Sequence, residues 1–128
     1  MKYLLDTHAF IWLDSDPGKL SPKVATLCAD PSNLILLSLA SVWEMQIKIQ
    51  LGKLTLPAPL ADTIRNQIKT NQIELLSIEL THILGLASLL PHHKDPFDRL
   101  LIAQAIAENA ILITDDSQIA KYPAYIIW

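Results

Sequence analysis

The sequence predicts an α/β protein, with one parallel sheet of about five short strands covered on both faces by helices. Three observations lead there. Short apolar runs alternate with longer amphipathic segments along the chain, as strand–helix–strand units require. The runs are apolar at every position rather than every second one, which marks strands buried on both faces. Leu, Ile and Ala dominate a composition that is 51% hydrophobic with only 3 glycines, too few turn residues for an all-β sandwich. At 128 residues the chain suits one core, and residues 1–128 are expected to form a single domain.

Taken in order, residues 3–5 are an apolar strand that stops at Asp6, and the apolar residues 9–13 after Thr7 and His8 continue as a helix. Asp16-Pro17-Gly18 is a turn. Ser21-Pro22 supplies an N-cap and a first-turn proline for a helix reaching about Ala29, which Asp30-Pro31 closes. Residues 34–37 form the second strand, and the helix after Ser38 ends where Gly52 offers a left-handed cap. A helix over residues 59–70 carries Leu60, Ile64 and Ile68 on one face. Residues 73–76 are the third strand. The next helix places Leu80, Ile83, Leu84, Ala87 and Leu90 on one stripe before Pro91 stops it. After a polar loop, Asp95-Pro96 opens a helix to about Asn109. Residues 110–114 are the fourth strand and residues 125–127 the fifth.

Cys28 is the lone cysteine, the opening apolar run is too short for a signal-peptide core, and charges or prolines interrupt every apolar stretch. No stretch reaches the roughly 18 uncharged residues of a membrane span. A soluble protein of the reducing cytoplasm is the expectation. The formal net charge of −3 provides no general basic field for attracting phosphate, which counts against a pure nucleic-acid-binding module. It counts less against an enzyme whose acidic site is offset by bound cations.

The informative acids are Asp6, Glu44, Asp98 and Asp116. In an open parallel sheet the carboxyl ends of the strands share one edge, where ligands bind at the topological switch point. Asp6 directly follows the first strand and Asp116 closely follows the fourth, while Glu44 and Asp98 lie early in helices of that same edge. Clustered carboxylates raise one another's pKa and resist joint ionisation unless a cation joins them. An all-oxygen set suits Mg²⁺ or Mn²⁺ rather than zinc, and such a site promotes phosphodiester hydrolysis by activating water and stabilising charge on phosphoryl oxygens.

The segments Leu4-Leu5-Asp6-Thr7-His8, Ser41-Val42-Trp43-Glu44, the run from Asp95 to Ala105 and Ile113-Thr114-Asp115-Asp116, in that order, resemble the PIN-domain family over nearly the whole chain. The likeness is greatest to the VapC-like toxins of bacterial type II toxin–antitoxin pairs. This resemblance implies a three-layer α/β/α fold, Mg²⁺- or Mn²⁺-dependent cleavage of RNA, homodimerisation, and inhibition by a small cognate antitoxin that also binds DNA. Asp6, Glu44, Asp98 and Asp116 match the family's acidic quartet. Thr114 matches its hydroxyl residue near the last acid, and Thr7 the residue just after the first. Asp115 is an extra acid beside the usual position, second to Asp116 as a ligand.

Each residue also has a plainer reading. Asp6 is a good N-cap, and Glu44 has a helical ion-pair partner in Lys48, worth about 0.2–0.5 kcal/mol on an open surface. Asp95 and Asp98 both suit helix capping; Pro96 fits the first helical position only if Asp95 is the cap, which leaves Asp98 for metal. Arg99 suits either a substrate phosphate or a structural ion pair. His92, His93 and Lys94 form a small basic cluster, read either as an RNA-backbone contact or as a solvated loop. His8 and His82 are expected to bond locally. Trp12, Trp43, Trp128, Phe10 and Phe97 are expected in the core or a dimer contact, and Cys28 as an inert buried residue.

Two other enzyme or signalling classes place acids after a first strand. A haloacid dehalogenase-type phosphatase needs a second Asp where His8 stands, and a phosphoacceptor receiver needs an Asp after the third strand, where Ser77-Ile78 follows. A PIN-like protein that binds RNA or a partner without cutting remains the alternative.

Overall fold

The computed structural model describes residues 1–128. The chain runs β1 (Lys2–Leu5), α1 (Thr7–Ser15), a 3₁₀ turn, α2 (Pro22–Ala29), β2 (Leu34–Ser38), α3 (Leu39–Gln50), α4 (Leu60–Asn71) and β3 (Glu74–Leu76). It continues as α5 (Leu80–Gly85), a 3₁₀ turn at Leu86–Ser88, α6 (Pro96–Ala107), β4 (Ile111–Ile113), a third 3₁₀ turn and β5 (Ile126–Ile127). All five strands are parallel, in the order β3-β2-β1-β4-β5. The α/β class and the five-stranded parallel sheet are those the sequence predicts. No helix is long and apolar enough to cross a membrane.

Uniformly apolar strands let each face of the sheet build its own core. Tyr3, Leu5, Ile35, Leu37 and Ile113 point to one side, where they meet Ala9 and Phe10 of α1, Val24 and Cys28 of α2 and Met45 of α3. Leu4, Leu36 and Leu112 point to the other, against Leu101, Ile102 and Ala105 of α6. Each fully buried Leu or Ile stabilises the fold by about 1.5–3 kcal/mol over leaving it in water.

The predicted caps are in place. Ser21 Oγ accepts the Val24 N–H at 3.1 Å, and Asp95 Oδ1 accepts the Phe97 and Asp98 N–H groups at 2.8 and 3.2 Å. Gly52 follows α3 at φ +72°, the left-handed conformation that glycine adopts without strain.

Two apolar stripes depart from the expected facing, that over residues 80–90 wholly and that of α4 only at Ile68, since Leu60 and Ile64 pack against the core. The helix predicted over residues 80–90 stops at Gly85, and Leu80, Ile83, Leu84 and Leu90 are exposed while His82 is fully buried. Polar bonding orients this helix: His82 Nδ1 accepts the Glu79 N–H at 3.0 Å, and its Nε2 meets Glu108 Oε2, beyond the end of α6, at 2.9 Å. In α4, Thr63 and Gln67 are buried and Ile68 is exposed, with Gln67 Nε2 donating to Asp14 Oδ1 at 3.1 Å.

Chain order makes β1 the central strand. The chain moves outward to β3, then returns through α5 and α6 to place β4 on the other side of β1. The switch point therefore lies between the ends of β1 and β4, where Asp6 and the Asp115–Asp116 pair leave the sheet.

Candidate metal centre at the carboxyl edge of the sheet

Asp6 begins the site. Its backbone N–H still bonds to the Ile113 carbonyl at 3.0 Å, so the residue is held by the sheet as well as by α1. Oδ1 caps α1 by accepting the Ala9 N–H at 2.7 Å, and Thr114 bonds the same carboxyl. The capping reading of Asp6 is therefore correct, yet a carboxylate has further lone pairs to offer a ligand. Only 5% of the residue is exposed, and burial pushes its pKa above the ordinary range despite the Thr114 and Ala9 bonds.

Glu44 enters from α3 and is 4% exposed. The Thr7 hydroxyl donates to its Oε1 at 2.7 Å, Ser41 Oγ stands 3.0 Å from that hydroxyl, and Lys48 Nζ is 2.8 Å from Oε2. Thr7 thus ties the start of α1 to α3 and aims the Glu44 carboxylate. The ion pair with Lys48 is not a surface contact, because its acid is buried.

Asp98 lies in the first turn of α6, but Asp95 performs the capping, so the Asp98 carboxylate is free of the helix end. Burial, reinforced by the neighbouring Asp95 charge, raises its pKa to about 7; His93 opposes the shift, while Glu44 and Asp6 add to it. These couplings mean that Asp98, Glu44 and Asp6 share one electrostatic environment.

Asp116 follows β4. Its backbone N–H donates to Thr114 Oγ1 at 3.1 Å, and its Oδ1 accepts the Gln118 N–H at 2.9 Å. Its other oxygen faces His93. Asp115 is exposed, and its charge reaches Asp6 without a bond to the cluster.

The basic run at residues 92–94 divides. His93 turns inward: Nε2 is 3.1 Å from Asp98 Oδ2 and 3.2 Å from Asp116 Oδ2. Its Nδ1 accepts the Asp95 N–H at 3.2 Å, which assigns the neutral ring's proton to Nε2, facing the two acids. His92 and Lys94 stay exposed, with the His92 ring edge-on to Tyr122 at 5.2 Å. Arg99 points away from the acids. Its guanidinium donates to the Leu90 carbonyl at 2.9 Å and the Tyr122 hydroxyl at 3.2 Å, with longer bonds to Leu86 and Leu89. Tyr122 in turn accepts the His93 N–H at 2.8 Å.

The other aromatic and thiol expectations divide as well. Phe10 is buried in the core and Trp12 meets Trp128 edge-on at 5.6 Å, but Trp43 is 59% exposed and touches Phe97 instead of the core. Burial raises the Cys28 thiol to about 11, which leaves it unreactive.

One ligand atom from each of His93, Asp98 and Asp116 lies within 4.8 Å of the others. The Asp98 and Asp116 carboxylates, held together by the His93 imidazole and backed by the buried Asp6 and Glu44, offer oxygens that fit a divalent cation preferring oxygen donors. Sequence reasoning placed the acids on this edge but did not place His93 among them. It missed Tyr122 altogether, since a hydroxyl 29 residues beyond His93 leaves no local pattern.

Residues 3–125 match the PIN domain family. No curated protein matches the chain. Among solved structures, VapBC2 from Rickettsia felis, bound to a DNA fragment from its promoter, aligns with TM-score 0.75 at 18% identity over 100% of this chain and 99% of that one. DNA-bound VapBC from Salmonella typhimurium aligns with TM-score 0.72 at 14% identity, covering 99% and 97%. VapBC-5 from Mycobacterium tuberculosis, a member of the VapBC family of toxin–antitoxin systems, aligns with TM-score 0.61 at 16% identity, covering 98% and 95%. At these identities the neighbours establish the fold, and the sequence match establishes the lineage: the chain belongs to the PIN domain family, whose members are generally nucleases.

Proposed function

We propose that this chain is a single-domain, Mg²⁺- or Mn²⁺-dependent endoribonuclease acting in the cytoplasm as the toxin of a type II toxin–antitoxin pair. The observation that carries this reading is the convergence of His93, Asp98 and Asp116 beside the buried Asp6 and Glu44 at the switch point. Bound there, a divalent cation supplies an activated water and neutralises charge on the phosphoryl oxygens. The protein's contribution is positioning. Asp6, Glu44, Asp98 and Asp116 are the proposed ligands, Thr7 holds Glu44, Thr114 holds Asp6 and the backbone of Asp116, and His93 lies between Asp98 and Asp116. A homodimer held in check by a cognate antitoxin is the proposed assembly, supported by the likeness to toxin–antitoxin complexes.

The test is cleavage of a panel of single-stranded and structured RNAs by purified chain freed of any partner, with Mg²⁺, Mn²⁺ or EDTA. Cleavage that needs metal and disappears in Asp98→Asn supports the reading. Intact RNA throughout, with metal binding shown by calorimetry, overturns it in favour of a PIN-like binding protein that does not cut. Growth arrest on induced expression, relieved by Asp6→Asn, tests the toxin role separately.

A further inference from the structure

We propose that Trp43, braced by Phe97, is a stacking platform for an unpaired nucleobase, and that it selects single-stranded or looped RNA at the acid cluster. This rests on the nuclease reading above.

The indole is 59% exposed, although it sits between Val42 and the buried Glu44 in an otherwise apolar stretch. A solvent-facing Trp gains little from burial, so its orientation needs another cause. Phe97 provides one: the two rings meet edge to face, with centroids 5.2 Å apart and planes at 83°. Each ring belongs to the residue immediately preceding a cluster acid, Trp43 before Glu44 and Phe97 before Asp98. The pair therefore joins α3 to α6 at the rim of the proposed metal site.

The surroundings suit a base better than a second protein surface. The exposed face of α3 runs Leu39, Trp43, Gln46, Gln50, so beyond the indole it turns to amides that can bond base edges. The apolar hollows of the molecule lie elsewhere, between α6 and β5 around Ile106 and Tyr125, and along the connection from α3 to α4 around Leu54 to Leu60. Trp43 lines neither.

Charge points the same way. The chain is net acidic at −3, Lys48 is engaged by Glu44 and Arg99 by backbone carbonyls and Tyr122, and Lys94 is the exposed cation left in the loop beside Asp98. Few free cations beside the acids leave less phosphate attraction than a broad basic channel gives, and stacking supplies affinity without charge. Stacking on a protein ring also discriminates by structure, because a base inside a duplex is already stacked on its neighbours.

The experiment uses the full chain with Trp43→Ala and Trp43→Phe, circular dichroism confirming the fold of each. Two readouts are needed. In EDTA, an adenine hexaribonucleotide is expected to quench the tryptophan fluorescence of wild type, while an abasic strand of the same length does not, and Trp43→Phe loses the quench though Trp12 and Trp128 remain. With metal, Trp43→Ala is expected to raise KM for a single-stranded RNA by roughly 5- to 100-fold, with kcat nearly unchanged and Trp43→Phe in between. Absence of the base-dependent quench overturns the platform, as does an unchanged KM in Trp43→Ala. A fall in mass by light scattering in Trp43→Ala with unchanged KM also overturns it, and assigns the ring to a contact with a second copy. If wild type cuts no RNA, the nuclease reading fails, and the quench alone decides whether Trp43 binds bases.

Discussion

The hydroxyl of Tyr122 accepts the backbone N–H of His93 at 2.8 Å and thereby fixes the loop whose imidazole lies between Asp98 and Asp116. Arg99 strengthens this arrangement, bonding the same hydroxyl while it ties down the carbonyls that end the preceding 3₁₀ segment. Removing one oxygen in Tyr122→Phe leaves the His93 N–H without its partner in a partly buried position, which costs about 1–3 kcal/mol. Chemical denaturation is expected to register that loss. RNA cleavage is expected to fall about tenfold in kcat with little change in KM, because a mobile His93 loop misplaces ligands more than it weakens RNA binding. Unchanged kcat in a variant that is measurably less stable would detach the loop from the chemistry.

Capping and metal binding are separable at the start of α6. Asp95 accepts two backbone N–H groups there, while the Asp98 carboxylate accepts none. Asp95→Ala is therefore expected to destabilise the protein by about 0.5–2 kcal/mol. Asp98→Asn is expected to keep its stability and to lose metal binding and cleavage together. Thermal melts beside calorimetric titration with Mn²⁺ distinguish the two variants, and equal destabilisation of both would return Asp98 to a capping role.

The raised pKa of Asp98 makes a further prediction about pH. Between about 4 and about 7 the folded, metal-free protein holds a proton on Asp98 that the unfolded chain has released, so this group's contribution to stability declines as pH rises through that window. Metal binding runs the other way, because the cation must displace the proton. Mn²⁺ affinity is expected to be about tenfold weaker at pH 6 than at pH 8. Asp98→Asn in EDTA is expected to lose this part of the pH slope. Melts at four pH values with and without metal check both signs, and a pH-independent Mn²⁺ affinity would exclude Asp98 as a ligand.

These expectations were open to sequence reasoning to different depths. The placement of three of the acids on one edge was legible because Asp6 and Asp116 follow strands and Asp98 lies in the first turn of α6, positions set by local signals such as Asp95-Pro96 and the abrupt halt at Asp6; Glu44, in the second turn of α3, carries no such signal. The sheet was legible because its strands are apolar at every position. The face of α5 was not, since periodicity assigns leucines to the core, whereas the helix is oriented by His82 bonding Glu79 and the distant Glu108. Trp43 was legible only in part for a related reason: an aromatic in an apolar stretch reads as core or as a dimer contact, and only the meeting of α3 with α6 sets it against Phe97 with its indole largely in solvent. His93 and Tyr122 acquire their places from bonds that span 23 and 29 residues, which no local pattern encodes.

Glu44 gives the last prediction. Its carboxylate is buried and, without metal, is stabilised by the Thr7 hydroxyl on one oxygen and Lys48 on the other. Lys48→Met keeps the aliphatic stem but leaves a buried charge with one neutral donor. Because the Lys48 side chain is 37% exposed, water relieves part of the penalty, and a loss of about 1 kcal/mol is expected in EDTA. If Glu44 is a ligand, the cation replaces the missing ammonium, and saturating Mg²⁺ is expected to restore more stability to Lys48→Met than it adds to wild type. Thr7→Val is expected to behave differently, since the hydroxyl orients Glu44 as well as bonding it: metal affinity falls and Mg²⁺ restores little. Denaturant midpoints for the three proteins with EDTA and with Mg²⁺ decide the matter. Equal Mg²⁺ stabilisation of wild type and Lys48→Met would place Glu44 outside the metal's coordination.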